Sequence, residues 1–343
     1  MPARWAGRKL RILDAPDGVR KLQRPTPRTG GPALYAAFFG SVCLAAWLAP
    51  PGGPVAWPHA RVIVPMFCGA SAVLLIGLWD DVAGLRPWLK LLLTGLVAAA
   101  MYAAGYRAAV LANPFGGAVR LGYLAAPVTL LWFLGCMNAM NFIDGLDGLA
   151  GGVAVFAAAA VFAASIIFGN SSAAVLSAAL AGAALGFLFL NFHPASIFLG
   201  DCGSYLLGFL IACVGLQGST KADGGAALAI PLVALGLPVL DTALAIVRRW
   251  SAGRPLLSGS DRRHIHHRLV DAGLSQRQAA LALYGVCFAL AACAATMAAF
   301  EGLRGAMLVA VAAAGIGAAW AIGREEIARA ARRIAGRTGA HRD

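Results

Sequence analysis

The sequence predicts an all-α protein that crosses a membrane about ten times. Of its 343 residues, 60% are hydrophobic and 13% are charged, with a mean hydropathy of +0.74. This composition excludes a soluble globular domain. Most of its ten apolar runs are long enough to cross a hydrocarbon core about 30 Å thick at about 1.5 Å per residue. The runs lie at 33–49, 61–79, 88–105, 119–137, 149–168, 172–190, 204–218, 225–247, 277–300 and 304–322.

The basic residues predict the orientation of these spans. If the N-terminus is cytoplasmic, 23 of the 28 lysines and arginines lie in the inner segments 1–32, 80–90, 248–277 and 323–343. Lysine and arginine favour the cytoplasmic side, so we expect both termini to lie there. The net charge of +13 favours an anionic membrane surface and anionic substrates. Nucleic acid is a poor partner, because the basic residues flank membrane spans.

The polar segments divide the chain into three parts. We expect a basic cytoplasmic segment at 1–32, a multi-span domain at 33–322 and a basic cytoplasmic tail at 323–343. The domain would carry cytoplasmic loops at 80–90, 138–148, 191–204 and 248–277. On the outer side, an Asn-Pro-Phe-Gly-Gly turn at 113–117 predicts a small β-hairpin between 108–111 and 118–121.

A pair of adjacent acids closes the second apolar run. Asp80 and Asp81 follow this run, and Lys90 opens the next one. Two neighbouring carboxylates repel each other unless a cation neutralises them. A solvated helix end is one interpretation, and Mg²⁺ binding or proton abstraction is the other. Lys90 offers a point charge for a phosphate.

A second set of polar residues follows the end of the fourth apolar run. It contains Asn138, Asn141, Asp144 and Asp147. Polar groups at a membrane span are costly unless they serve a function. In a helix, the two acids would share one face. A simple turn is the alternative; a calcium loop is excluded, because its alternating ligands and terminal Glu are absent.

The segment 191–204 adds three candidate site residues. Asp201 stands between glycines just before an apolar run, where it could bind Mg²⁺ or cap the following helix. Phe198 could stack on a base or pack in the protein interior. Asn191 begins the segment where the preceding span ends.

A cluster of imidazoles and guanidinium groups lies near residue 264. His264, His266, His267 and Arg268 could bind phosphate oxygens, or they could form a solvated basic loop. Zinc fits less well, because no Cys or Glu completes a site. Asp241 lies within the run 225–247, and the sequence leaves open whether it pairs with Arg248 or faces the site.

Taken together, these segments resemble the polyprenyl-phosphate N-acetylhexosamine-1-phosphate transferase family. The motifs occur in family order: Arg20-Lys21 with Pro25–Gly31, Asp80-Asp81 with Lys90, Asn138 to Asp147, Asn191 to Ser204, and His264 to Arg268. The family includes bacterial enzymes that begin O-antigen, common-antigen and teichoic-acid synthesis. It also includes the translocase that makes lipid I.

The resemblance implies a helical bundle in the bacterial inner membrane, with a catalytic cleft facing the cytoplasm. A UDP-N-acetylhexosamine would give its sugar-1-phosphate to undecaprenyl phosphate and release UMP, as the first membrane step of cell-surface polysaccharide synthesis. The implied cofactor is Mg²⁺, with Mn²⁺ as an alternative. The implied partners are these two substrates and membrane lipid. A second copy of the chain, in a homodimer, is a further partner that the resemblance admits.

The resemblance also implies roles for individual residues. Asp201 would bind Mg²⁺, and Asp80 and Asp81 would lie at the lipid phosphate, with Asp80 as the base and Asp81 as a second metal ligand. Asn141, Asp144 and Asp147 would lie at the nucleotide, Asn191 and Phe198 at the uridine. The substrate-binding set is completed by Lys21, Arg28, Lys90, Asn138, His264, His266, His267 and Arg268.

Three alternatives remain. A cation-coupled transporter would carry its acids near the bilayer midplane and often shows inverted repeats. A non-catalytic scaffold would have no reason to keep the acids, Lys90 and the histidines together. Within the family, the His-Ile-His-His-Arg sequence favours UDP-GlcNAc or a related sugar over the substrate of the phospho-MurNAc-pentapeptide transferase.

Many relatives have a helix before Arg20, so either this chain has ten spans or its true start lies upstream.

Overall fold

A computed structural model describes residues 13–14, 26–49, 57–113, 118–219, 228–251, 253 and 264–339. These residues form twelve α-helices: α1 (Gly30–Leu48), α2 (Ala60–Ala83), α3 (Pro87–Ala103), α4 (Ala125–Ile143), α5 (Leu149–Ile167), α6 (Ser171–Asn191), α7 (Gly200–Ser219), α8 (Ala229–Ala234), α9 (Gly236–Ser251), α10 (Ile265–Asp271), α11 (Gln276–Ala299) and α12 (Arg304–Gly339). Short 3₁₀ turns at Gly122–Leu124 and Glu301–Leu303 precede α4 and α12.

Two small antiparallel sheets accompany the helices. Strand β1 (Leu13–Asp14) pairs with β2 (Thr26–Pro27), and β3 (Val110–Ala112) pairs with β4 (Ala118–Arg120). The second pair confirms the predicted hairpin, with Leu111 opposite Val119. The architecture is therefore all-α, as the sequence predicts.

Most of the predicted membrane spans correspond to single helices. Within the described residues, eight helices are long and apolar enough to cross a membrane, and α3 is a shorter apolar helix of 17 residues. The predicted span 225–247 is instead two helices, α8 and α9. Pro238 has no N–H to donate to the carbonyl of Ala234, so the helical ladder is interrupted where α9 begins.

Large apolar side chains cover the outer faces of the helices. Trp47, Leu131 and Phe189 are 79%, 70% and 82% exposed. A water-soluble protein rarely exposes contiguous apolar surface of this kind, whereas lipid tails solvate it without cost. The protein is therefore a polytopic membrane protein.

Helix α7 is the centre of the bundle, and it packs against α1, α2, α4, α5 and α6. Gly77 of α2 allows the closest of these contacts, because a Cβ there would lie 2.3 Å from the Cα of Cys202. The missing side chain lets the two backbones touch where α2 ends and α7 begins. This contact brings the acids of α2 next to the acid of α7.

Several boundaries differ from the sequence prediction. Helix α4 ends at Ile143, six residues after the predicted run, so Asn138 and Asn141 are helical and do not lie in a loop. Residues 144–148 are a turn, which is the alternative that the sequence left open, so Asp144 and Asp147 do not share a helical face. Gly148 has a positive φ of 80°, which ends the turn and starts α5. Helix α12 runs without a break through the predicted boundary at residue 323.

Candidate active site

The predicted acids meet where four helices begin or end. Asp80 and Asp81 are in the last turn of α2, Lys90 is in the first turn of α3, Asn141 is near the end of α4, and Asp201 is in the first turn of α7. The apolar helices bring these ends to one side of the bundle. This position at helix ends argues against the transporter alternative, which expects acids at mid-span.

Lys90 lies at the centre of this cluster and contacts several of its members. Its ammonium group lies 2.6 Å from Oδ2 of Asp80 and also donates a hydrogen bond to Oδ2 of Asp201. It sits 4.1 Å from the centre of the Tyr205 ring, in a cation–π contact. Lys90 is buried, and these partners satisfy its charge. An ammonium group between two carboxylates makes a compact site of mixed charge.

Asn141 and Ser204 complete the surroundings of Asp201. The amide of Asn141 donates to Oδ1 of Asp201 at 3.2 Å and to Oγ of Ser204 at 2.9 Å. The hydroxyl of Tyr205 donates to Oδ1 of Asn138 at 3.0 Å. Sequence reasoning did not single out Ser204 or Tyr205 as site residues. Their spacing of three and four from Asp201 was the available signal, because such residues share one helical face.

Asp81 has a different environment from Asp80. Its side chain is 1% exposed, and its two oxygens accept hydrogen bonds from the main-chain N–H groups of Asp201 and Cys202 at 2.9 and 3.0 Å. Arg28 lies 3.9 Å from Oδ1 of Asp81. Asp81 thus binds the N–H groups at the start of α7, a favourable place for an anion. This geometry does not support direct metal binding by Asp81. Because Asp81 binds the N–H groups at the start of α7, the side chain of Asp201 does not cap that helix.

We expect Asp81→Asn to destabilise the protein. The amide would turn its NH₂ group toward one of the two N–H groups, which would lose its acceptor in a buried place. An unsatisfied buried donor costs about 1–3 kcal/mol. The melting temperature of the purified protein in detergent should fall, while the exposed Asp271→Asn control should not change it. An unchanged melting temperature for both variants would contradict the anchoring role.

The turn after α4 forms a second cluster with the end of α6. Oδ2 of Asp147 lies 2.8 Å from Nδ1 of His193 and accepts from the main-chain N–H of Ala195. Asn191 is buried; it accepts from the N–H of Gly148 at 3.0 Å and donates to the carbonyl of Ile197 at 2.9 Å. Its amide is therefore engaged by the main chain, which does not support the predicted uridine contact. His193 was not predicted as a site residue.

The remaining predicted residues lie around these clusters. Phe198 is half-buried, and its main-chain N–H donates to the carbonyl of Pro27 at 2.8 Å. This bond ties the segment before α7 to strand β2. Asp144 is half-buried at the end of α4. Lys21 lies outside the described residues.

The histidine segment, His264–Arg268, packs against the end of α4. The His264 ring stacks on Phe142 with a centroid distance of 5.5 Å, and the His266 ring lies parallel to His264 at 5.7 Å. His267 follows, with its ring 4.2 Å from that of His266. Arg268 lies in the last turn of α10. The structure thus places the segment beside the turn that carries Asp144 and Asp147.

His266 differs from the expected phosphate-binding cation. It is 1% exposed, and neither ring nitrogen has a hydrogen-bond partner within the described part of the chain. Burial, aided by the neighbouring His267 and His264, lowers the pKa of His266 to about 3. Its imidazole is therefore neutral at physiological pH and brings no positive charge to a phosphate.

The open side of the acid cluster offers oxygen donors suited to Mg²⁺. The side chain of Asp201 is 39% exposed, and its Oδ2 converges with that of Asp80 on the Lys90 ammonium group. Carboxylate oxygens are the ligands that Mg²⁺ prefers. Among the described residues, no group of three or more His, Cys, Asp and Glu side chains is arranged to hold an ion. A Mg²⁺ ion here would need water and substrate oxygens as its other ligands.

Comparison with known proteins agrees with this geometry. Residues 63–219 match the family model described as Glycosyl transferase family 4. A Bacillus subtilis protein named "Probable undecaprenyl-phosphate N-acetylglucosaminyl 1-phosphate transferase" is 35% identical over 281 residues, which are 82% of this chain and 75% of that protein. A Mycolicibacterium smegmatis protein named "Decaprenyl-phosphate N-acetylglucosaminephosphotransferase" is 38% identical over 76% of this chain and 69% of its own.

A more distant relative belongs to the other branch that the motifs resemble. The Synechococcus protein named "Phospho-N-acetylmuramoyl-pentapeptide-transferase" is 30% identical over 77% of this chain and 78% of its own. The family match includes Asp80, Asp81, Lys90, Asn141 and Asp201, the residues that meet at the ends of the four helices. The chain therefore belongs to glycosyl transferase family 4, the family of membrane phosphoglycosyl transferases that act on polyprenyl phosphates.

Proposed function

We propose that the protein transfers N-acetylhexosamine 1-phosphate, with N-acetylglucosamine as the sugar, from a UDP-sugar to undecaprenyl phosphate. A phosphate oxygen of the lipid attacks the β-phosphorus of the UDP-sugar. The bond between this phosphorus and the oxygen bridging to the α-phosphate breaks, and UMP leaves with that oxygen. The product is a lipid-linked sugar pyrophosphate. The cluster of Asp80, Lys90, Asn141 and Asp201 at the membrane edge is the observation that supports this reaction most directly.

The charges of the cluster suit a reaction between two anions. Lys90 supplies a fixed positive charge on α3, so two phosphate groups can approach each other with less repulsion. Asp80 lies beside Lys90 and can accept the proton of a singly protonated lipid phosphate. Asn141 orients Asp201 through its hydrogen bond to Oδ1. These residues hold the reacting groups in line, which is most of what phosphoryl transfer requires from a protein.

Mg²⁺ is the proposed cofactor, with Mn²⁺ as a substitute, and Asp201 would hold it. When bound, it would neutralise part of the pyrophosphate charge. Asp80 lies close enough to Asp201 to share Lys90 with it, so a cation at Asp201 would compete with the ammonium group for these oxygens.

A lipid acceptor accords with the membrane-facing surface of α3. An open apolar groove of about 530 Å³ runs along α3 and α4, and Trp88, Leu92, Leu96 and Leu130 line it. Trp88 lies at the same end of α3 as Lys90, but a spacing of two residues puts the two side chains on different faces of the helix, so the groove faces the membrane while Lys90 faces the protein interior. A prenyl chain in this groove would have its end at the level of the acid cluster, whereas a soluble nucleotide would enter from the aqueous side.

Product analysis tests the proposed reaction. Purified protein with Mg²⁺ and undecaprenyl phosphate is incubated with UDP-GlcNAc, UDP-GalNAc or UDP-MurNAc-pentapeptide, and lipid products are identified by mass spectrometry. We expect undecaprenyl-pyrophosphoryl-GlcNAc and one UMP for each lipid product. Product from UDP-MurNAc-pentapeptide alone would move the chain to the other branch, and no lipid-linked sugar from any donor would refute the proposal.

We propose that the active site lies on the cytoplasmic side of a bacterial inner membrane, as the distribution of basic residues predicts. A cysteine at Ala104, after α3, should then be labelled only from outside, and one at Asp271, the last residue of α10, only from the cytoplasmic side. Both positions are exposed. The measurement uses an impermeant maleimide on oriented membranes, in a background that lacks the exposed Cys43 and Cys68. Reversed labelling would place the site outside.

A further inference from the structure

We propose that Asp241 is a positioning residue, which fixes the tautomer and orientation of His264 and thereby holds the histidine segment against the end of α4. This inference rests on the proposed function, because the effect of Asp241 is measured on the proposed transfer reaction. Asp241 is a buried acid that does not reach the Lys90 cluster. Sequence reasoning left Asp241 between a pair with Arg248 and a site-facing acid. Its contacts in the structure are with the histidine segment.

Both oxygens of Asp241 are used at the start of α10. Oδ2 lies 2.8 Å from Nδ1 of His264, and Oδ1 accepts the main-chain N–H of Ile265 at 2.9 Å. Asp241 is 1% exposed and His264 is 6% exposed, so water does not compete for these bonds. An ionised carboxylate can only accept hydrogen bonds, so Nδ1 of His264 carries the proton. The other nitrogen, Nε2, is then the acceptor whenever the ring is neutral.

His264 contacts the end of α4, so its orientation affects the residues there. Its ring stacks on Phe142, and the residue before Phe142 is Asn141, which holds Asp201. Two residues after His264, His266 lies so close to the turn after α4 that a Cβ on Gly145 would be 2.0 Å from its Nε2. Asp241 therefore connects α9 to the helix end that orients Asp201. A rotated His264 would disturb this contact without removing a group that touches substrate.

Asp241→Asn is the sharpest test, because it keeps the size of the side chain. The amide oxygen can still accept from Ile265, but the NH₂ group then faces Nδ1 of His264 and favours the tautomer with the proton on Nε2. Loss of a group that orients another side chain typically lowers activity about 10- to 100-fold. We expect kcat to fall in this range, with KM changing far less and the melting temperature nearly retained.

Three controls separate positioning from a structural role. Thr242→Val changes the next residue of α9, whose buried hydroxyl has no partner among the described residues, and should leave kcat unchanged. Asp241→Glu keeps the carboxylate and should recover part of the lost kcat. In a His264→Ala background, Asp241→Asn should cause no further loss of kcat. A further loss of the same size would show that Asp241 does not act through His264.

The tautomer itself can be observed without any activity. In protein labelled with ¹⁵N-histidine, the His264 signal, identified by its absence in His264→Ala, should show a protonated Nδ1 in the wild type. Asp241→Asn should shift the proton toward Nε2. An unprotonated Nδ1 in the wild type would overturn the proposal. This result would stand even if the protein transferred no sugar, so failure of the proposed function and failure of this inference are distinguishable.

Discussion

Asp201→Asn is expected to lower kcat by at least about 10³-fold, the upper end for the loss of one group that stabilises a transition state. The amide cannot replace a negatively charged oxygen toward Mg²⁺. It also presents an NH₂ group to Lys90 or Asn141, which are both donors to Asp201. The measurement is steady-state turnover of UDP-GlcNAc at saturating Mg²⁺, together with the melting temperature.

The control for this variant is Ser204→Ala, which removes a neighbouring hydroxyl from the same face of α7 and leaves the carboxylate in place. We expect it to cost far less activity than Asp201→Asn. Wild-type turnover in Asp201→Asn would refute the metal assignment. Loss of activity accompanied by a collapse of the melting temperature would assign Asp201 to the fold instead.

Lys90→Met is expected to have a similarly large effect on kcat/KM, together with a loss of stability. Removing one partner of a buried ion pair typically costs about 3–5 kcal/mol. The partial exposure of Asp201 to water places the expected loss below that range. Activity should fall by at least about 10²-fold, because the positive charge that draws the two phosphates together is gone.

A second substitution separates the two effects of Lys90. Asp80→Asn combined with Lys90→Met removes one negative and one positive charge, so it should restore part of the melting temperature. It should not restore turnover, because both the ammonium group and the proposed proton acceptor, Asp80, are missing. Lys90→Arg keeps the charge but replaces a compact group with a planar one, so we expect an intermediate rate. Turnover that returned in step with stability would mean that Lys90 serves only the fold.

The residue types of the sequence were sufficient to predict the class of the fold and several of the polar residues that meet at the helix ends. Ten apolar runs predict a helical membrane protein, because backbone groups in lipid must be satisfied within helices. The order of Asp80, Lys90, Asn141 and Asp201 along the chain predicts a common face, because each lies at the end of an apolar run. Membership of the family confirms the reaction class that these motifs resemble.

Helix boundaries were harder to predict from the same residues. Asn138 and Asn141 are polar, so the hydrophobic run stops before them, although the helix continues to Ile143. Their amides are accommodated there by partners from α7 and by a carbonyl of their own helix. Hydropathy measures the cost of placing a group in lipid, and it does not register partners that come from another helix.

The roles of individual acids depend on tertiary structure. Asp80 and Asp81 are adjacent in the chain and alike in chemistry, yet one binds Lys90 and the other binds two main-chain N–H groups of α7. Asp241 has Arg248 two turns away along its own helix, but its oxygens bind His264 and Ile265. The sequence by itself determined which polar groups the membrane protein carries and near which helix ends. Only the packing of those helices decided which groups meet, because hydrogen-bond partners are set by distances of about 3 Å that no spacing along one chain segment specifies.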